Sequence, residues 1–96
     1  MIVTYTNPAA SGSIALWLTP ARLWDNGNDA EPVRAHFART IADPQEAAYA
    51  YSRWVAAVCR IVAPILRDSV DGVSRDITIE GETWTFTQDF AADNWI

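Results

Sequence analysis

The sequence predicts an α+β fold: a small antiparallel sheet of four or five strands, in the chain order β-β-β-α-β-β, with one long helix packed on one face. Three observations carry that expectation. Near both ends of the chain, β-branched and aromatic residues alternate with polar ones, which is the two-residue period of a strand. Between them lies a long segment whose apolar residues recur every three or four positions, the period of a helix seated on a core. Half of the 96 residues are apolar and 11% are aromatic, enough to build one core at this length, so residues 1–96 are read as a single domain.

The first strand is read at Ile2–Thr6. Asn7-Pro8-Ala9-Ala10-Ser11-Gly12 reads as a loop and Ser13–Thr19 as the second strand. There Ile14, Leu16 and Leu18 share one face and Ala15 and Trp17 the other, so both faces are apolar, as in a central strand. Pro20 has no N–H for a ladder. The chain then passes Ala21–Trp24 into Asp25-Asn26-Gly27-Asn28-Asp29, residues that tolerate positive φ and make a surface turn. From Val33 to Ile41 the residues alternate again, with Val33, Ala35, Phe37 and Ile41 on one side and Arg34, His36, Ala38 and Thr40 on the other. A third strand is expected there, with a short helix as the alternative.

Asp43-Pro44-Gln45-Glu46 is the strongest local signal in the chain. Asp43 suits an N-cap, Pro44 the first helical position, and Glu46 the third position of a capping-box variant. Behind it Ala47, Tyr51, Trp54, Val55, Val58, Ile61, Val62, Ile65, Leu66 and Val70 form the core-facing stripe, and Gln45, Ser52, Arg53, Ala56, Arg60 and Arg67 fall opposite. Pro64 removes one backbone bond, which predicts a kink near Arg60 or a stop near Ala63, and Asp71-Gly72 ends the helix. Arg75–Thr87 is then a hairpin about Glu80-Gly81. That turn sets Ile79 opposite Glu82, Thr78 opposite Thr83 and Ile77 opposite Trp84. Ile77, Ile79, Trp84 and Phe86 fall on the buried side, with Asp76, Thr78, Thr83, Thr85 and Thr87 on the other.

Composition removes several functions. One cysteine, Cys59, and one histidine, His36, cannot make an intramolecular disulfide or a Cys/His zinc set, and neither a metal nor a cofactor is expected. The first residues carry no basic n-region, so no secretory signal is expected. No apolar run reaches the roughly 18 residues of a membrane span, and the expected location is cytoplasmic, without a membrane partner. Gly12, Gly27, Gly72 and Gly81 are too scattered for a phosphate loop. The Asp25–Glu31 stretch has the acid content of a calcium loop, but His36 stands at its twelfth position where Glu belongs, so it is read as a turn.

Catalysis finds few candidates. Cys59 lies within the helix, a place for a small buried hydrophobe, and His36 beside Arg34 reads as an exposed polar residue. Glu80 and Glu82 flank a turn tip, where they are expected to be solvated rather than held apart in a cleft. The chain is therefore read as non-enzymatic.

Charge points to interaction instead. The net charge is −5, with no lysine, which argues against direct binding to nucleic acid. Residues 1–67 hold five acids and six arginines, whereas residues 68–96 hold seven acids and one arginine, Arg75. The predicted partner-binding residues are Asp68, Asp71, Asp76, Glu80, Glu82, Asp89, Asp93 and Trp95, a negative, partly aromatic surface that would attract a protein partner with a basic surface. Phe90 and Ile96 adjoin it. Trp17 and Trp54 are assigned to the core, and Trp24, Tyr49 and Trp95 to the surface. Arg53, Arg60 and Arg67 recur every seven residues, a row that would meet the acidic hairpin of a second copy in a homodimer.

A compact, acidic, motif-free chain of this size is similar in general character to the stoichiometric inhibitors that phages and mobile elements encode, anti-CRISPR proteins among them. The expected function is thus an inhibitor occupying the basic, nucleic-acid-binding surface of a host defence complex. An antitoxin or immunity-type protein that neutralises one effector, and a phage virion or assembly component, are the alternatives.

Overall fold

The computed structural model of the protein describes residues 2–15, 30–68 and 74–89. These form strands β1 (Ile2–Asn7) and β2 (Ala10–Ala15), helices α1 (Glu31–Thr40) and α2 (Pro44–Ala57), a π-helical turn (Val58–Val62), helix α3 (Ala63–Arg67), and strands β3 (Ser74–Ile79) and β4 (Glu82–Gln88). The four strands make one antiparallel sheet in the order β2-β1-β4-β3. The fold is α+β with one long helical rod, as expected, but among the described residues the element over 31–40 is a helix and no third strand precedes the rod.

The first hairpin is tighter than the sequence suggested. Asn7 pairs with Ala10, so only Pro8 and Ala9 form the turn. The Asn7 side chain explains the economy: its Oδ1 accepts from the N–H groups of Ala9 and Ala10, both at 2.9 Å, an Asx-type arrangement that satisfies two donors within the turn. β2 is an edge strand, not a central one, because β1 takes β4 as its other neighbour. Leu16, Trp17 and Leu18, which prompted the central reading, lie outside the described residues, as do the 25–29 turn and Val70.

Residues 33–41 misled because Val33, Ala35, Phe37 and Ile41 also satisfy a two-residue period. The buried residues are in fact Val33, His36 and Phe37, the spacing of a helical face. Glu31 in the first turn, Pro32 beside it and Arg39 in the last turn were the available helix signals. Ala30 offers no side chain as cap, so its N–H instead donates to Tyr51 Oη of α2 at 3.0 Å. The Arg34 guanidinium stacks 4.2 Å from the Tyr51 ring centroid, so one tyrosine fastens the start of α1 twice.

α2 begins as read, with Asp43 Oδ1 accepting from the Gln45 N–H at 2.9 Å and Pro44 opening the helix. The predicted disturbance at Pro64 takes the form of the π turn: the Ala63 N–H reaches back five residues to the Val58 carbonyl. The helix is widened there instead of broken, and it accommodates a ring that would otherwise clash four residues back. The turn also corrects the stripe. Trp54, Val58, Val62 and Leu66, spaced by four, are all buried, whereas Ile61 is 48% exposed. In an unbroken α-helix a four-residue spacing drifts around the rod, and the extra residue of a π turn cancels that drift.

The helices cover the sheet face that carries Val3, Tyr5, Ile14, Ile79, Trp84 and Phe86, all buried. Trp54 is the centre of the contact, with ring centroids 5.2 Å from Tyr5 and 5.4 Å from Trp84, both edge-on, and 6.0 Å from Phe86. The Trp54 and Trp84 indole N–H groups are buried without a nitrogen or oxygen partner. Edge-to-face packing, which sets positive ring edges against negative faces, is the compensation available to them.

Gly12 faces Tyr5 across the first hairpin. A Cβ built there would lie 2.5 Å from Tyr5 Oη, and Tyr5 is only 2% exposed, so its ring has no free space to enter. Gly12→Ala should therefore cost about 1–3 kcal/mol in urea unfolding, and Tyr5→Phe in the same chain should recover part of that loss. Strictly additive effects of the two changes would show that this contact is not the cause.

Candidate interaction surface

Strand alternation sorts the sheet into two chemically different faces. Apart from Ile2 and Ala15, which pair at one end of the open face, the strands send their apolar residues to the helices and their serine and threonine hydroxyls the other way: Thr4 and Thr6 from β1, Ser11 and Ser13 from β2, Ser74 and Thr78 from β3, Thr83, Thr85 and Thr87 from β4. The register aligns them into rows. One row runs Ser13, Thr4, Thr87, Ser74; the next runs Ser11, Thr6, Thr85, Asp76; Thr83 and Thr78 make a third across β4 and β3. Strands about 4.8 Å apart, with successive same-face residues about 6.7 Å apart, give a regular grid of short polar groups.

Among the described residues, no helix covers this grid. Thr4, Thr6, Ser11, Ser13, Ser74, Asp76, Thr78 and Thr83 are exposed, and Thr85 and Thr87 half-buried between neighbours. Several hydroxyls are already oriented. Thr4 Oγ1 donates to the Thr87 carbonyl at 3.2 Å, Ser74 Oγ and Thr87 Oγ1 share a bond of 2.6 Å, and Thr85 Oγ1 donates to Asp76 Oδ1 at 2.7 Å. Among the described residues, Asp76 is the charge on this face.

Those of the predicted acidic residues that are described lie on several parts of the molecule. Asp76 is on the open face. Glu80 is at the hairpin tip, at φ 55° beside Gly81 at φ 79°, and receives Arg53 of α2 through Nε at 2.8 Å and Nη2 at 3.1 Å. Glu82 points to the helix side, Asp68 follows α3 beside Arg67 at 3.9 Å, and Asp89 continues β4, its N–H donating to the Ile2 carbonyl at 2.8 Å. Asp71, Asp93 and Trp95 lie outside the described residues. Tyr49 is 49% exposed and Trp54 buried, as the sequence suggested; Trp17 and Trp24 lie outside the description.

Two side-chain contacts replace the solvated carboxylates that the sequence implied. His36, which the strand reading placed in solvent, is buried on α1, and its Nε2 lies 2.8 and 2.9 Å from the two oxygens of Glu82. Its ring packs against Phe37 and edge-on to Trp84. The pair ties α1 to β4, and Arg53–Glu80 ties α2 to the hairpin tip. The bond to Glu80 raises the Arg53 pKa above its ordinary value, burial opposes it, and Glu46 adds to the rise. Arg53 thus meets the acidic hairpin of its own chain, the contact that the arginine row suggested for a second copy.

Cys59 is half-buried in the π turn. Burial pushes its thiol pKa up, against a smaller opposing effect of Arg60, which keeps the nucleophilic thiolate scarce at neutral pH. Among the described residues no three His, Cys, Asp or Glu side chains are grouped to hold a metal ion, and no helix is long and apolar enough to cross a membrane.

Comparison with known proteins gave no relatives. No family model, curated protein or solved structure matches the chain significantly. The surface chemistry is what remains to reason from.

Removing Glu82 leaves a buried imidazole without its partner, so Glu82→Ala should cost about 1–3 kcal/mol in chemical denaturation, and Glu80→Ala, which breaks a more exposed pair, should cost less. Equal losses would mean that burial does not set the strength of these contacts. Alkylation of Cys59 by iodoacetamide near neutral pH should run slower in the folded protein than in urea and accelerate as pH rises through the elevated pKa; equal rates in both states would contradict its burial.

Proposed function

We propose that the chain is a non-enzymatic binding protein that occupies the basic, nucleic-acid-facing surface of a protein partner, in the manner of the stoichiometric inhibitors encoded by phages and mobile elements, anti-CRISPR proteins among them. The observation that supports this reading is the open sheet face, which among the described residues bears nine hydroxyls, one carboxylate and no cation, with the apolar pair Ile2 and Ala15 at one end. Hydroxyl and carboxylate oxygens accept the same arginine and lysine N–H groups that phosphate oxygens accept. The net charge of −5 supplies long-range attraction, and the hydroxyl rows supply short-range positioning.

Area decides how far the contact extends. Four strands, three of six residues and one of seven, present a face of about 19 by 20 Å, roughly half of the ~800 Å² that one partner contributes to a standard interface. The footprint therefore reaches beyond the grid, and the neighbouring hairpin tip at Glu80 and Gly81, where Glu80 is already paired with Arg53, adjoins it.

Affinity capture from lysate of the host, washed at rising salt and read by mass spectrometry, tests the proposal. The expected result is a one-to-one partner with a basic, nucleic-acid-binding surface, released as salt rises. Thr6→Arg with Thr83→Arg, both at exposed positions, should abolish capture while circular dichroism stays unchanged, and Ala38→Arg on the outer side of α1 should leave it intact. Capture that survives the paired arginines would overturn the open face as the contact.

A further inference from the structure

A second polar feature lies on the helix side of the sheet, away from the open face. The turn between β1 and β2 and the flank of α1 enclose a cleft of about 350 Å³, with Asn7, Ala10 and Ser11 on one side and Pro32, Ala35 and Arg39 on the other. Pro32, Ala35 and Arg39 follow one another along one side of α1 at three- and four-residue spacing. Asn7 and Ala10 share the strand face of Tyr5 and Gly12, the helix-facing side, which is why the turn and the helix meet here.

The chemistry of the cleft is one-signed. Twelve acids outnumber seven arginines in this chain, yet among the described residues no acid lines the cleft and Arg39 does. Most other arginines of the described residues are occupied: Arg34 by Glu31 and the Tyr51 ring, Arg53 by Glu80, Arg67 by Asp68, Arg75 by the Ser74 carbonyl. Arg39 is exposed, makes no such contact, and keeps its planar fork of donors available. Asn7, also in the lining, adds a donor: its Oδ1 is consumed by the Ala9 and Ala10 N–H groups, which leaves its amide nitrogen as the group it can offer a ligand.

We infer that the cleft between α1 and the β1–β2 turn binds a compact oxyanion, a carboxylate or phosphate group, held by the Arg39 guanidinium and the Asn7 amide. The two groups that hold the ligand, Arg39 and Asn7, lie outside the open face, and of the cleft lining Ser11 alone belongs to it, so the site stands or falls independently of the function proposed above. It gives this acidic protein a place for a negatively charged group that the rest of its surface repels.

The test is a titration of the isotopically labelled protein with inorganic phosphate and, separately, with acetate, against chloride at matched ionic strength, followed by NMR at the amides of Ala9, Ala10 and Ala35 and at Arg39 Nε. Saturable shifts confined to these groups, from either anion, are the expected result; phosphate alone would define a tetrahedral ligand and acetate alone a carboxylate. Arg39→Gln, at an exposed position, should weaken binding roughly tenfold or more, the loss of a charge-assisted bond, with an unchanged unfolding midpoint, and Ala35→Glu should abolish it. Shifts that merely follow ionic strength, that fall equally on Arg60 and Arg67, or that persist in Arg39→Gln would overturn the inference.

Discussion

The seating of Trp54 on the sheet governs the rest of the structure. Its ring is fully buried, edge-on to Tyr5 and Trp84 and tilted against Phe86, so one helix residue draws together β1 and β4, the strands nearest the two ends of the described chain. For the rod beyond it to stay on that face, Val58, Val62 and Leu66 must follow at four-residue steps, and the π turn at Val58–Val62 permits them to. Pro64, which sequence reasoning treats as a fault in the helix, is thereby part of the device that keeps the long helix in register with its core.

Because the aromatic cluster is closed on one side, a polar group that enters that side loses water and gains from a partner there, although the two indole N–H groups have only aromatic neighbours. His36 with Glu82 and Tyr51 with the Ala30 N–H are such pairings, and both fix α1, whose own cap lacks a side-chain acceptor. Arg53 with Glu80 does the same for the hairpin tip. The acids on which an interaction surface would first be built are thus partly spent inside the molecule. The opposite face keeps its hydroxyls, because strand alternation leaves them nowhere else to point, and it stays open because both helices pack on the other side. The same division of side chains makes the core and exposes the proposed contact.

Much of this was legible before the structure. The β3–β4 hairpin was correct to the residue pair, since Glu80-Gly81 flanked by alternating residues admits one tight register. The start of α2 was correct because Asp43-Pro44 is a local signal that needs no tertiary context. The identity of α1 was not legible, because Val33 and Phe37 fit two periods at once and a partner on another element, Glu82, decides the fate of His36. The open face was half visible: Asp76, Thr78, Thr83, Thr85 and Thr87 were on one side of the hairpin, but their continuation into Thr4, Thr6, Ser11 and Ser13 depends on β1 pairing with β4, a contact between opposite ends of the chain that no local pattern encodes.

The central claim is that one face of the sheet is sealed around Trp54 and Trp84 while the other is bare. Solvent paramagnetic relaxation by an inert gadolinium chelate reads both faces at once. The methyl signals of Thr4, Thr6, Thr78 and Thr83 should broaden strongly, and the indole N–H signals of Trp54 and Trp84 should be untouched. Protected threonine methyls, or indole signals that broaden with them, would contradict the account.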